Sequence, residues 1–410
     1  MGILQGIIFF AGYLAIIFEH QIRVNKTAAA LGIGSILWGI LFATSGDANG
    51  VMDHLALHLS DTSQIVFFLI GAMTIVELID SHNGFAFITR CLTFTKRSHL
   101  LWAVGFSSFF LSSVLDNLTT TIAMVSILRK ILPQKQERWI FGSLVVIAAN
   151  AGGAWTPIGD VTTTMLWMDG QITTLATIKA LFIPSFVSLL TACALFHLFF
   201  IRGKEKAVEV IAYEKSGSLI FCLGILLLVM VPVLKALFHL PPYMGMLLGV
   251  SIMWIVTDRM DAGKEKSLAF ALGKIDLSSA LFFMGILLAI GALETAGHLG
   301  TLMEMMGKVI TNDALIATTI GISSALIDNV PLVAGCMGMY PMEVYPVDCS
   351  FWQMIAYCSG TGGSMLIIGS AAGVALMGLE EVPFLWFLKK ITLLALISFL
   401  SGIVTFVLLS

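Results

Sequence analysis

Apolar residues run through this chain in long unbroken stretches, and polar residues gather between them. Ten stretches are long enough to cross a bilayer: 3–18, 27–43, 64–79, 139–168, 175–201, 218–238, 243–257, 277–296, 351–377 and 384–409. They are continuous rather than alternating, so the pattern predicts helices and excludes a transmembrane barrel. Two further stretches, 100–131 and 314–339, are too long for one simple crossing and too short for two. Each carries an Asp-Asn pair near its middle, Asp116-Asn117 and Asp328-Asn329. An arm of about 14 helical residues reaches only about 21 Å, short of the roughly 30 Å hydrocarbon core. Both stretches are therefore expected to be re-entrant helical hairpins with tips near the midplane. The fold class expected is an all-α polytopic membrane protein.

Composition agrees with that pattern. Of 410 residues, 58% are hydrophobic and 11% charged, against about a quarter charged in soluble domains. A net charge of −3 without a basic tail gives no reason to expect a nucleic-acid partner. Cys91, Cys193, Cys222, Cys336, Cys349 and Cys358 are scattered without a CxxC; they read as inert thiols, with no disulfide framework. The first apolar stretch lacks a basic leader and a small-residue cleavage site, so it reads as a retained span.

Charge sets the orientation. On this layout 17 of the 22 Lys and Arg fall on one side, in clusters at 23–26, 90–97, 129–138, 202–215 and 259–274. Lys389 and Lys390 begin the last span on the same side, and Lys179, Lys235 and Lys308 lie on the other. The positive-inside rule makes the first side cytoplasmic and places both termini outside. Basic residues flank 100–131 at both ends, as a re-entrant segment requires.

The chain repeats itself. The Asp-Asn pairs are 212 residues apart, and ANAGGAWTPIGD at 149–160 matches SGTGGSMLIIGS at 359–370 with an offset of 210. Each half reads as three spans, a hairpin and two more spans. Five crossings is an odd number, so the second half is expected to be inverted, as in secondary transporters. The expected units are a first repeat over 1–201, a cytoplasmic connector over 202–217 and a second repeat over 218–410. The spans after the hairpins are expected to be broken, by Gly152, Gly153, Pro157 and Gly159 in one half. Gly362, Gly363 and Gly369 do the same in the other, with close helix packing as the alternative role for the glycines.

Placing a carboxylate at membrane depth costs roughly 3 kcal/mol, and this chain does so at matching places in both halves. That points to a buried polar site handling ions or protons. Asp116, Asn117, Asn150, Thr156, Asp160, Asp328, Asn329, Ser359 and Thr361 supply oxygens beside the hairpin tips and breaks. Hard oxygen ligands suit Na⁺ or Li⁺. Carbonyls and half-helix C-termini at the breaks are expected to favour cations too. Asp160 has Ser370 as its counterpart, an asymmetry that either shapes the site or binds the proton separately. Helix capping is the bland reading of the Asp-Asn pairs, and the two roles coexist. Glu77, Asp80 and Glu294, on the helices before the hairpins, read equally as interfacial residues or as a proton path. Asp47, Asp53, His54, His58 and Asp61 read as a solvated acidic outer loop, with a pH-sensing face of His54 and His58 as the second reading.

The stretches LDNLTTTIAM, AANAGGAWTPIGDVTTTMLW, SSALIDNVP and GGSMLIIGSAAGVALMG resemble the NhaD-type sodium/proton antiporters of the ion transporter superfamily. They make up about a fifth of the chain, but their order and spacing span 109–378. Dicarboxylate transporters of that superfamily carry Ser-Asn-Thr at the hairpin tips, where this chain has Asp-Asn. The resemblance implies a multi-pass exporter of Na⁺ or Li⁺ driven by protons, in a bacterial inner membrane. It also implies an elevator-like motion within a homodimer and no cofactor. A plastid member of the family exists, but no transit peptide is read here. The competing readings are arsenite or organic-anion transport on the same scaffold, and an intramembrane aspartyl protease. No Lys or Arg lies in mid-span to favour an anion, and the GxGD motif of such proteases is absent.

Overall fold

Helices account for the regular structure because neither water nor a neighbouring strand satisfies the backbone of an apolar run in lipid. The computed structural model describes residues 2–17, 22–86, 88, 92, 94, 96–201, 217–260, 268–301, 312–326 and 328–410. Arg90, Cys91, Lys264, Lys266, Lys308 and the expected connector up to residue 216 lie outside these. The first group of helices is α1 (Gly2–Ile17), α2 (Lys26–Thr44) and α3 (Ala48–Ser81). A hairpin of α4 (Arg97–Ser112) and α5 (Asn117–Ile131) follows, then α6 (Lys135–Ala154), α7 (Val161–Asp169) and α8 (Thr174–Phe200). The next group is α9 (Ser218–Phe238), α10 (Pro242–Arg259), the short α11 (Leu268–Lys274) and α12 (Leu277–Thr295). A second hairpin, α13 (Asp313–Ser323) and α14 (Asn329–Met339), precedes α15 (Ser350–Gly362), α16 (Ala371–Glu380), α17 (Phe384–Lys390) and α18 (Thr392–Leu409).

Six described helices, α2, α3, α8, α9, α12 and α18, are long and apolar enough to cross a membrane singly. The expected crossings 139–168 and 351–377 are each two shorter helices, α6 with α7 and α15 with α16. The hairpin arms have 16, 15, 11 and 11 residues. At 1.5 Å per residue none spans the core alone.

One expectation is corrected. Residues 48–81 form a single 34-residue helix, so the acidic segment is no loop. His54, His58 and Asp61 stand on the first half of α3. Apolar residues continue through that segment; Val51 is buried and Leu55 half-buried, while Met52, Leu57 and Leu59 point outward. The Gly291 backbone lies against the His58 ring, and Trp38 packs at 5.9 Å from it.

The helices group into two bodies, which meet where α14 packs on α12 and α7 on α3. In one, α2 packs on α12, α3 on α10, α1 on α2 and α9 on α10. In the other, α4 and α5 pack on α6, α13 on α15, α5 on α16, α14 on α7 and α8 on α18. Exchanging the halves of the chain maps these pairings onto one another. Lipid gives no hydrophobic drive between helices, so close contact of small residues matters. At α2–α12, Gly34 meets the Gly285 carbonyl and Gly285 meets the backbone of Ala30. Where α8 crosses α18, the hydroxyls of Ser188 and Ser398 lie 2.9 Å apart.

Candidate functional site

Four helix starts converge between the two bodies. They belong to α5, α7, α14 and α16, and their N-cap residues are Asp116, Asp160, Asp328 and Ser370. A cavity of about 240 Å³ opens beside them, lined by Asp116, Asn117, Asp160, Asp328, Asn329 and Ala371 from the hairpin body. Glu77 and Asp80 of α3, together with Lys26, Lys274, Asp276 and Phe282, close it from the opposite body. Both hairpin tips thus share one chamber.

The two tip carboxylates are held differently. Asp116 adopts φ +58°, a left-handed conformation that costs a non-glycine residue about 1–3 kcal/mol. That turn aims its carboxylate back over α5, where it accepts the Thr119 N–H at 2.7 Å and the Thr119 hydroxyl at 2.9 Å. Asp328 has φ −50° and, among the described residues, accepts only a long bond, 3.4 Å, from the Val330 N–H. Its other oxygen lies 3.9 Å from the Lys26 ammonium.

Asp160 is the deeper acid, with 2% of its surface exposed. Thr163 and Thr164 donate to its backbone carbonyl, both at 2.9 Å. Its Oδ2 has no hydrogen-bond partner among the described residues, nor does the neighbouring Thr162 hydroxyl. Oδ2 lies beside Gly360, 3.1 Å from where a Cβ would stand. On the twin side of this arrangement the polar groups satisfy one another. Asn117 donates to Asn150 at 3.0 Å, and Asn150 donates to the hydroxyls of Ser364 and Ser370 at 2.8 and 3.1 Å. Asn150 therefore stands one layer behind the cavity and ties a hairpin tip to both broken helices.

The breaks cover residues 155–160 and 366–370. Thr156, Pro157, Gly159 and Gly369 fall in them, whereas Gly152 and Gly153 belong to α6, Gly362 ends α15 and Gly363 begins a 3₁₀ turn. Gly152 and Gly362 serve close approach instead: a Cβ there would strike the carbonyl oxygens of Phe109 and Gly321. The Thr156 hydroxyl donates to the Ser113 carbonyl at 2.6 Å, bracing the first tip. Ser359 and Thr361 spend their hydroxyls on carbonyls of their own helix, at 2.7 and 2.5 Å, and do not line the cavity. Glu294 is not with Glu77 and Asp80. It lines a separate cavity of about 200 Å³ with His58, Asp61 and Asp169, at the other ends of α3 and α12.

Two further expectations change. The half-helix ends facing the cavity are N-termini, not C-termini. Each N-terminal dipole favours negative charge by about 0.3–1 kcal/mol, up to ~2 in buried geometry. That offsets much of the roughly 3 kcal/mol cost of each carboxylate at this depth. The dipoles thus favour the three anionic N-cap residues that line the chamber. Secondly, Lys26 and Lys274 reach the cavity from helix ends, although no mid-span lysine exists. Their positions in the basic clusters gave a topogenic reading only. Thr119 was legible as a capping partner three residues after Asp116; Asp276, which caps α12 through Ser279, gave no sign of facing a tip.

A family model described as citrate transporter matches residues 13–354. Sodium/proton antiporter 1 of Arabidopsis thaliana is 50% identical, over 98% of this chain and 71% of its own length. Sodium/proton antiporter 2 of the same plant is 48% identical, over 98% of both. The Na(+)/H(+) antiporter NhaD of Vibrio cholerae is 28% identical, over 98% of this chain and 91% of its own. Among solved structures, the Alcanivorax borkumensis YdaH transporter, described as having an unusual topology, superposes with a TM-score of 0.61. It covers 96% of this chain and 97% of its own at 10% identity, which shows the fold alone. These are transporters rather than enzymes. By the extent of these matches, the chain belongs to the citrate-transporter-type family of membrane carriers and, within it, to the NhaD-type sodium/proton antiporters.

Proposed function

We propose that this protein exchanges Na⁺ or Li⁺ for protons across the membrane. The observation that carries the reading is the charge of the shared chamber. Glu77, Asp80, Asp116, Asp160, Asp276 and Asp328 face Lys26 and Lys274, an excess of acid that attracts a small cation and repels a citrate-like anion. Carboxylate oxygens of Asp116, Asp160 and Asp328 with the amide oxygens of Asn117 and Asn329 make a hard donor set. A bound cation stabilises the ionised carboxylates, and protonation removes the charge that holds the cation. Competition for the same oxygens is the chemistry of exchange. Asn150, Thr156, Ser359 and Thr361 act as braces. Glu77 and Asp80 conduct protons to the tips, and Glu294 serves the opposite vestibule.

The motion we assign is elevator-like. The hairpin body carries the tips and breaks, and the body of α1–α3 and α9–α12 stays fixed. The exchange of pairings between halves supports inverted repeats, and with them two mirror-related states reached by sliding one body past the other. The assembly we expect is a homodimer through the fixed body. The membrane we assign is a bacterial inner membrane; the two plant relatives, at 50% and 48% identity, make a plant membrane the second reading.

The test is pH-gradient dequenching in everted vesicles with Na⁺, Li⁺, K⁺ and citrate, on the wild type and on Asp116→Asn and Asp328→Asn. Na⁺- or Li⁺-driven proton movement lost in both variants is expected. Retained exchange in both, or a response to citrate without Na⁺, refutes the reading.

A further inference from the structure

We infer that Lys26 is a tethered cation that occupies Asp328 in the empty site and must be displaced by the transported ion. The inference deepens the proposed function, since it rests on Asp328 being an ion ligand.

Four observations carry it. First, the root of Lys26 is pinned. Asn25 caps α2 by accepting the Thr27 N–H at 2.8 Å, and the Thr27 hydroxyl donates to the Ser278 carbonyl of α12 at 3.0 Å. The ammonium sits over the Phe282 ring, 4.7 Å from its centroid, and 3.9 Å from Asp328. Secondly, the pair is only partly wet, with 32% and 27% of the two side chains exposed. Thirdly, the twin acid needs no such partner, because Asp116 is satisfied by Thr119 within its own hairpin. Under the exchange of halves α2 maps onto α10, which opens on Pro242 and offers no amine. Fourthly, the other ion pairs stay within one body. Lys274 pairs with Glu77 in the fixed body, while Arg129, Arg138 and Lys135 pair with Glu380 and Glu381 in the hairpin body. Among the described residues, Lys26–Asp328 is the ion pair that joins the two.

A cation on a four-carbon stem beside a ligand carboxylate competes with a free cation for the same charge. Na⁺ entering the chamber takes over Asp328 and frees the hairpin body from α2. In the empty state Lys26 retains that body, which opposes an idle stroke without cargo.

The experiment uses the full chain in proteoliposomes at alkaline pH, where proton competition is least, with Na⁺ binding read by calorimetry and exchange by dequenching. Lys26→Gln should lower the half-saturating Na⁺ concentration about fivefold, the scale of one partly exposed ion pair. Lys26→Arg should behave as the wild type. Lys26→Met, which keeps the apolar stem on Phe282, should match Lys26→Gln and stands in for it should the glutamine variant not fold. In an Asp328→Asn background, removing Lys26 should change nothing. Unchanged or weaker Na⁺ binding in Lys26→Gln and Lys26→Met overturns the role of Lys26, as does the same gain in the Asp328→Asn background. Wild-type Na⁺ binding by Asp328→Asn alone instead overturns the ion-ligand reading on which the role rests.

Discussion

Replacing Asp160 by Asn separates a ligand from a structural acid by the sign of the stability change. Asp160 is buried to 2% exposure and its Oδ2 has no hydrogen-bond partner among the described residues. A carboxylate at this depth costs roughly 3 kcal/mol. The start of α7 returns up to ~2 kcal/mol. Without Na⁺ the empty site therefore holds Asp160 at a net loss, and the near-isosteric Asn should raise stability by roughly 1 kcal/mol. With Na⁺ the order reverses. A ligand at a hundred times its dissociation constant stabilises the folded state by about 2.7 kcal/mol, and the variant should lose that gain. The assay is thermal unfolding of purified protein in lipid nanodiscs across a Na⁺ titration, with choline holding ionic strength constant. Wild-type Na⁺ stabilisation in Asp160→Asn would refute the reasoning. So would destabilisation of the variant in both Na⁺ and choline, since a structural acid predicts that result.

Further outcomes follow from the same geometry. Thr119→Val removes the hydroxyl that Asp116 accepts; it should cost about 1 kcal/mol of stability and weaken Na⁺ binding, checked in the same titration. Gly152→Ala and Gly362→Ala push a methyl into backbone carbonyls that cannot move aside; each should cost about 1–3 kcal/mol, read as a lower unfolding temperature. Glu380 is buried at 2% exposure and accepts from Arg129 at 2.6 Å and Arg138 at 2.8 Å. Glu380→Gln leaves two guanidinium groups under-compensated where α5 and α6 meet the end of α16. It should destabilise by about 3 kcal/mol, seen in unfolding curves, whereas the exposed Glu381→Gln should leave them unchanged.

The apolar runs determined the helices, because in lipid no other open structure satisfies the backbone. Arm length determined the short hairpin helices, and the matched Asp-Asn pairs marked their tips. Other features were invisible in one dimension. That 48–63 extends α3, and so sets His58 against Gly291 of α12, was one such feature. Gly152 and Gly362 read as breaks, yet their role comes from carbonyls brought beside them by a hairpin some forty residues earlier. Ser359 and Thr361 stood beside a break as plausible ligands, but helical geometry turned their hydroxyls onto their own backbone. Glu294 shared a position in its half with Glu77 and Asp80, and tertiary packing put it in another chamber. Lys26 stands 302 residues from Asp328, and no local pattern reports a charge pair formed by folding two bodies against each other. Sequence dictates what each segment must do with its own backbone and apolar surface; which side chains finally face one another depends on contacts between distant segments, and those exist only once the helices have packed.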